Sequence, residues 1–254
     1  RQVGKTTAVK QFAVNYEQFI YLNLETDDAK SFEGERDIHK IVDRIFFLKD
    51  GEKGKADTLI FIDEIQEVPS ALNMLRYFYE EYPEYHVIAA GSLLESLFDR
   101  DVSFPVGRVD YLYMYPFTFG EFLEALGERN ALNAYRQVPV PDYAVDKLMQ
   151  LFHTYTLVGG MPEAVYRYVV TKDLSQVKPV YDSLLLSYLD DVEKYAKTTN
   201  QMQVMRHCIR SCFAEAGERI KFAGFGESAY SSKEVGEAMR TLRKALILHL
   251  TYPT

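Results

Sequence analysis

The sequence predicts an α/β fold: a parallel sheet with helices on both faces, followed by a mostly helical region. Three observations predict it. The runs DTLIFIDEI (Asp57–Ile65) and EYHVIAAGS (Glu84–Ser92) are nearly continuous in apolar residues, as strands buried on both faces are. Between them lies an amphipathic stretch long enough for a helix. The resulting strand–helix–strand rhythm belongs to parallel sheets rather than to hairpins.

The elements follow in order. QFIYLNLE (Gln18–Glu25) is β-branched and aromatic, a strand pattern. In DIHKIVDRIFFLKDG (Asp37–Gly51), Ile38, Ile41, Val42, Ile45 and Phe46 fall at helical spacing, and Gly51 ends the run. SALNMLRYFYEEY (Ser70–Tyr82) is a helix, with Pro69 and Ser70 at its start, where both residue types fit. VDYLYMYP (Val109–Pro116) alternates and is expected to form a further strand. Beyond FTFGEFLEALGE (Phe117–Glu128) the pattern becomes helical to about residue 225. Leu148, Leu151, Phe152 and Tyr155 form one stripe, and Leu184, Leu185, Tyr188 and Leu189 another. VGGMPEAV (Val158–Val165) interrupts this region with a turn. Ser231 and Glu234 have capping-box spacing, and Val235, Met239, Leu242 and Leu246 then line one helix face. ALILHLTY reads as a strand or as more helix, so a winged-helix-like segment is expected at the end. The domain organisation expected is 1–125, an α/β core; 126–225, a helical domain; and 226–254, the start of the winged-helix-like segment.

Composition bounds the function. With 254 residues, 47% of them hydrophobic, the chain buries a core of more than one domain. Nineteen Tyr and sixteen Phe argue against disorder. A net charge of −8 excludes nucleic-acid binding through the overall field and leaves only a local basic surface. That surface would be Lys233, Arg240, Arg243 and Lys244, a candidate DNA contact that also reads as a solvated helix face. No apolar run approaches 18 residues, so no membrane partner is expected. Cys208 and Cys212, four apart on a helix, read as buried reduced thiols of a cytoplasmic protein.

The chain opens on RQVGKTTAVKQF. Gly4, Lys5 and Thr6 match the end of a phosphate-binding loop, G-x-x-x-x-G-K-[ST]. The loop's first glycine would fall before Arg1, and the strand leading into it is expected to be missing from the chain. The chemistry remains legible. Gly4 lets backbone approach phosphate oxygens, Lys5 supplies a charge for the β- and γ-phosphates, and Thr6 offers a hydroxyl to Mg²⁺. Val3 and Thr7 flank the same loop and count with it as nucleotide-binding candidates. The helix after Thr6 would aim its N-terminus at the anion. G-K-T alone is a weak motif. TLIFIDE strengthens it, because Asp63 and Glu64 end a buried strand at the edge where α/β sheets bind ligands. Asp63 is the metal ligand of this reading, and Glu64 the group that orients or deprotonates water.

These pieces, with VIAAGSLLE, YPFTFGEFL and VGGMPEAV, resemble an uncharacterised family of bacterial and archaeal AAA+-type P-loop ATPases. That family couples a P-loop core to a winged-helix segment and a C-terminal nuclease-like domain of unknown function, the last expected to be absent here. The resemblance implies ATP and Mg²⁺ as cofactors, Walker-A roles for Lys5 and Thr6, and Walker-B roles for Asp63 and Glu64. It also implies a sensor role for Ser92 beside the γ-phosphate. Arg108 is a candidate arginine finger across a homo-oligomer boundary, with Arg100 competing for the role. The function expected is ATP hydrolysis coupled to the helical and winged-helix parts. Two alternatives stand beside it: a nucleotide-switched DNA-binding regulator with little turnover, and a small-molecule kinase. The kinase fits less well, since residues 125–170 lack a dense arginine-rich lid.

Overall fold

A computed structural model describes residues 2–91 and 107–252. The chain divides into two compact units, one holding Gly4–Tyr113 with Arg243–Thr254 and the other Met114–Leu242 with the first three residues.

The first unit is a parallel three-stranded sheet flanked by helices. Strands β1 (Gln18–Asn23), β2 (Thr58–Asp63) and β3 (Tyr85–Ala89) lie in that order. Every residue of β2 is buried, as its unbroken apolar run predicts. The register sets Tyr21 beside Phe61 and Asn23 beside Asp63. Side chains alternate across the sheet, so Ile20, Leu22, Ile60 and Ile62 share one face. Helices α2 (Ile38–Leu48) and α3 (Pro69–Glu81) cover that face with Ile41, Val42, Ile45, Leu72 and Phe78. Tyr21 and Phe61 point to the other face, where α1 (Lys5–Phe12) lies.

Local chemistry fixes the helix ends. Asp37 caps α2 by accepting from the His39 N–H at 2.9 Å. The turn out of α2 uses Asp50 at φ 50°. Gly51 instead supplies room, because a Cβ there would stand 3.0 Å from Phe46 and 3.1 Å from Ile20. Pro69 is the first residue of α3, while Ser70 lies inside the helix and does not cap it.

The expected strand at 109–116 is absent: residues 109–115 form no regular structure, with Leu112 94% and Tyr115 59% exposed. Alternation creates two faces but no ladder, and among the described residues no strand lies beside this segment.

The second unit is helical. Its elements are α4 (Phe119–Ala125), α5 (Arg129–Tyr135), α6 (Asp142–Val158), α7 (Pro162–Thr171), α8 (Lys178–Tyr195) and α9 (Thr199–Ser211). Phe122, Leu123, Leu132, Leu148, Val158 and Val165 form a core. Leu148 and Leu184 are buried as the stripes predict, while Phe152 is 43% exposed and meets Phe119 edge-on. The Gly159–Gly160 turn is tight for a reason the sequence does not carry. Gly160 accepts from the Phe117 N–H at 2.7 Å, and a Cβ there would lie 2.2 Å from the Phe117 carbonyl oxygen. Cys208 and Cys212 are free thiols, and burial pushes Cys208 up to about 12.

Helix α10 (Ser232–Lys244) follows. Its start is the expected capping box, with Ser231 Oγ and N–H both donating to Glu234 at 2.7 and 2.9 Å. The expected strand or continued helix after Lys244 is not formed. Leu246 takes a left-handed backbone, φ 55°, and its N–H bonds the Arg243 carbonyl, so the chain leaves the helix there and Leu246 is not on its buried face. No helix among the described residues is long and apolar enough to cross a membrane.

Candidate functional site

Gly4 is the N-cap of α1 in a left-handed conformation, φ 87° and ψ 17°, which a side chain would disfavour. This turn starts the helix at Lys5 and presents its first, unbonded N–H groups at one end. Val3 is buried, Lys5 and Thr6 are half-buried, and Thr7 is exposed.

The decisive contact links the two motifs. Thr6 Oγ1 donates to Asp63 Oδ2 at 2.7 Å across 57 positions of sequence. Asp63 is 4% exposed, and its Oδ1 accepts the Glu64 N–H at 3.1 Å. Tyr21, on the neighbouring strand, donates its hydroxyl to the same Asp63 Oδ2 at 3.3 Å. Burial first, and then the Asp63 charge, hold the Tyr21 phenol above its ordinary value, so it stays a donor. Its ring stacks on Phe61 with centroids 5.4 Å apart, and the Lys10 ammonium sits 4.4 Å from its centroid.

A hydroxyl that donates its proton keeps its oxygen lone pairs for a cation, and Asp63 Oδ1 retains acceptor capacity. Mg²⁺ takes hard oxygen ligands, one or two from protein and the rest from phosphate and water. Thr6 and Asp63 fit that demand.

Glu64 follows Asp63 in a left-handed conformation, φ 52° and ψ 43°, unusual for a residue with a side chain. Its carboxylate Oε2 accepts from Gln66 Nε2 at 2.6 Å. Backbone bonds secure the turn, with Ile65 N–H on the Ala90 carbonyl and Ala90 N–H on the Ile62 carbonyl at 3.0 and 2.8 Å. The end of β3 is therefore laced to the Asp63–Glu64 corner.

Of the remaining candidates, Ser92 and Arg100 lie outside the described residues. Arg108 is described, and its Nε donates to Glu80 Oε1 on α3 at 2.6 Å. Arg76 donates to the same oxygen at 2.9 Å, and the Arg76 and Arg108 guanidinium groups hold the Glu80 carboxyl below its usual range. Lys233, Arg240, Arg243 and Lys244 are all exposed on α10, and the Arg243 guanidinium lies 5.6 Å from the Tyr252 ring.

Sequence reasoning missed Tyr21, Lys10 and Gln66. A strand register is needed to bring Tyr21 to Asp63. Gln66 leaves a trace in the sequence: a polar amide between Ile65 and the acidic Glu67, directly after the acidic pair.

Comparison with known proteins bears on both halves of the chain. Residues 149–254 match the model of a domain of unknown function, DUF8612. No curated protein and no solved structure matches. Residues 1–123 match the model of an AAA domain. Together with the parallel sheet, that match supports an AAA-type, P-loop NTPase-like domain over residues 1–123, a class that binds nucleotides.

Proposed function

We propose that the chain binds ATP with Mg²⁺, hydrolyses it, and couples the nucleotide state to the helical and winged-helix-like parts that follow. The observation that carries this reading is the 2.7 Å hydrogen bond between Thr6 and Asp63. It brings the phosphate-binding turn and the acidic strand end to one place.

Each residue then has a task. The Gly4 turn and the first amides of α1, with Val3 and Thr7 beside them, receive the phosphates. Lys5 places its ammonium against the β- and γ-oxygens. Thr6 and Asp63 would hold Mg²⁺, which would supply positive charge to offset that of the triphosphate. Glu64 accepts the proton of the attacking water as its oxygen bonds to the γ-phosphorus and the β–γ bridging bond breaks, releasing ADP and phosphate. Ser92 is assigned to the γ-phosphate side, and Arg108 or Arg100 to a neighbouring subunit's nucleotide. An acid beside the site favours water as acceptor, which sets a small-molecule kinase behind hydrolysis. A cytoplasmic location accompanies this reading.

The exposed cations of α10 support a second reading, a nucleotide-switched DNA-binding regulator with little turnover. Phosphate release with and without DNA separates the two. In a labelled-ATP titration, Lys5→Ala is expected to weaken binding by about 10- to 100-fold, the worth of a hydrogen bond to a charged group. Glu64→Gln is expected to keep binding within about 3-fold while turnover falls roughly 10²- to 10⁴-fold. A Glu64→Gln chain that hydrolyses ATP at the normal rate removes the water-activation assignment.

A further inference from the structure

The amide of Gln66 is placed at a cost that its packing does not repay. The residue is 9% exposed, and its Oε1 is buried with no hydrogen-bond partner among the described residues. An unsatisfied buried acceptor costs about 1–3 kcal/mol. An apolar residue of the same length would avoid that cost, so something else requires an amide at this position.

Its other end identifies the requirement. Gln66 Nε2 donates to Glu64 Oε2 at 2.6 Å and approaches Glu67 Oε1 at 3.4 Å. The two carboxylates also fix which way the amide faces, since a carbonyl oxygen turned towards them would be repelled. Glu64 itself occupies a left-handed backbone position, so its side chain leaves the chain in a direction ordinary β or α geometry does not give. A flexible carboxylate on such a turn has several rotamers open to it. The short, charge-assisted bond from a buried amide selects one of them. Gln66 gains the rigidity to do so from its neighbours, for Ile65 is fully buried and Val68 is buried beside it.

We propose that Gln66 is a positioning residue that holds the Glu64 carboxylate in the orientation used for water activation. The inference rests on the hydrolytic reading above. Gln66 acts through Glu64, to which its amide donates, rather than on the nucleotide itself. Its loss therefore lowers turnover and leaves nucleotide affinity in place.

The test uses the whole chain and five proteins: wild type, Gln66→Met, Gln66→Glu, Glu64→Gln and the double variant of Gln66→Met with Glu64→Gln. Methionine keeps the length and removes the donor. Steady-state hydrolysis gives kcat and KM, labelled-ADP titration gives affinity, and thermal melts report folding. Gln66→Met is expected to lower kcat about 10-fold or more, with KM and ADP affinity within about 3-fold. Added to Glu64→Gln it is expected to lower kcat no further, because the group it positions is already gone. Gln66→Glu, which repels Glu64, is expected to impair kcat at least as much as Gln66→Met.

Several results would overturn the inference. Unchanged kcat in Gln66→Met would do so while leaving the hydrolytic reading intact. A kcat loss of equal size in the wild-type and Glu64→Gln backgrounds, or one matched by lost affinity and a lowered melting temperature, would mark a structural role only. A wild-type chain that binds ATP with Mg²⁺ but never releases phosphate would overturn the hydrolytic reading and this inference with it.

Discussion

Thr6 is the residue on which the metal assignment turns, because its hydroxyl bridges two motifs that share no sequence neighbourhood. Its proton goes to Asp63 Oδ2, and its oxygen remains available. On the proposed assignment, removing the hydroxyl deletes a metal ligand; it also frees the buried Asp63 carboxylate to move, with Tyr21 and the Glu64 N–H left to hold it among the described residues. Thr6→Ala is therefore expected to weaken Mg²⁺-dependent nucleotide binding by about 10-fold or more. Binding in the presence of a chelator should be nearly unchanged, and Thr6→Ser should restore the wild-type response. A labelled-ADP titration with and without EDTA measures all three. If wild type and Thr6→Ala gain equally from Mg²⁺, Thr6 is not a metal ligand. Residues of this kind were legible in the sequence, because G-K-T and the Asp-Glu pair are local patterns with a chemical meaning. Tyr21 was not, since only pairing of β1 with β2 brings its hydroxyl within 3.3 Å of Asp63.

Elements were legible where hydrophobic periodicity and pairing agree. The buried run of β2 and the five apolar positions of α2 each announce a burial pattern that the fold then satisfies. Residues 109–115 carry a strand pattern, but among the described residues no strand lies beside them, so the same local signal produces irregular chain. Leu246 continues the spacing of α10 but lies past a left-handed turn, a backbone event that no periodicity encodes. The Gly159–Gly160 turn is the opposite case, where the sequence marks a turn and packing makes it obligatory. A methyl at Gly160 would drive into the Phe117 carbonyl, which is backbone and cannot swing aside. That clash also threatens the Phe117 N–H bond to Gly160 and the Tyr155 hydroxyl's 2.7 Å bond to the Phe117 carbonyl. Gly160→Ala is expected to destabilise the helical unit by at least about 1–3 kcal/mol, the usual range for overpacking. Gly120→Ala, inside α4 with its new methyl at an ordinary 3.4 Å from Tyr135, is expected to be neutral or stabilising by roughly 0.5–1 kcal/mol. Chemical denaturation of both variants checks the contrast. Equal effects would mean that the approach to Phe117 does not constrain the turn.

At the scale of the whole molecule, charge decides between the two functional readings. A chain of net charge −8 repels a polyanion at long range, so any DNA affinity must come from a local concentration of cations. The exposed set on α10 is Lys233, Arg240, Arg243 and Lys244, and the same helix carries Glu234 and the exposed Glu237. Arg243 is also drawn over the Tyr252 ring. Four phosphate contacts is then the ceiling for this helix. Counterion release converts that ceiling into a slope: log affinity against log salt should be no steeper than about −0.9 per contact on duplex DNA, or roughly −3.6 in all. Replacing Arg240 and Lys244 with alanine together should flatten the slope by about 2 and leave ATP turnover measured without DNA unchanged. A salt series on wild type and the double variant reads this directly. A response that is flat from the outset, or one that the substitutions leave unaltered, would identify α10 as a solvated helix face, and the regulator reading would lose the observation that favours it.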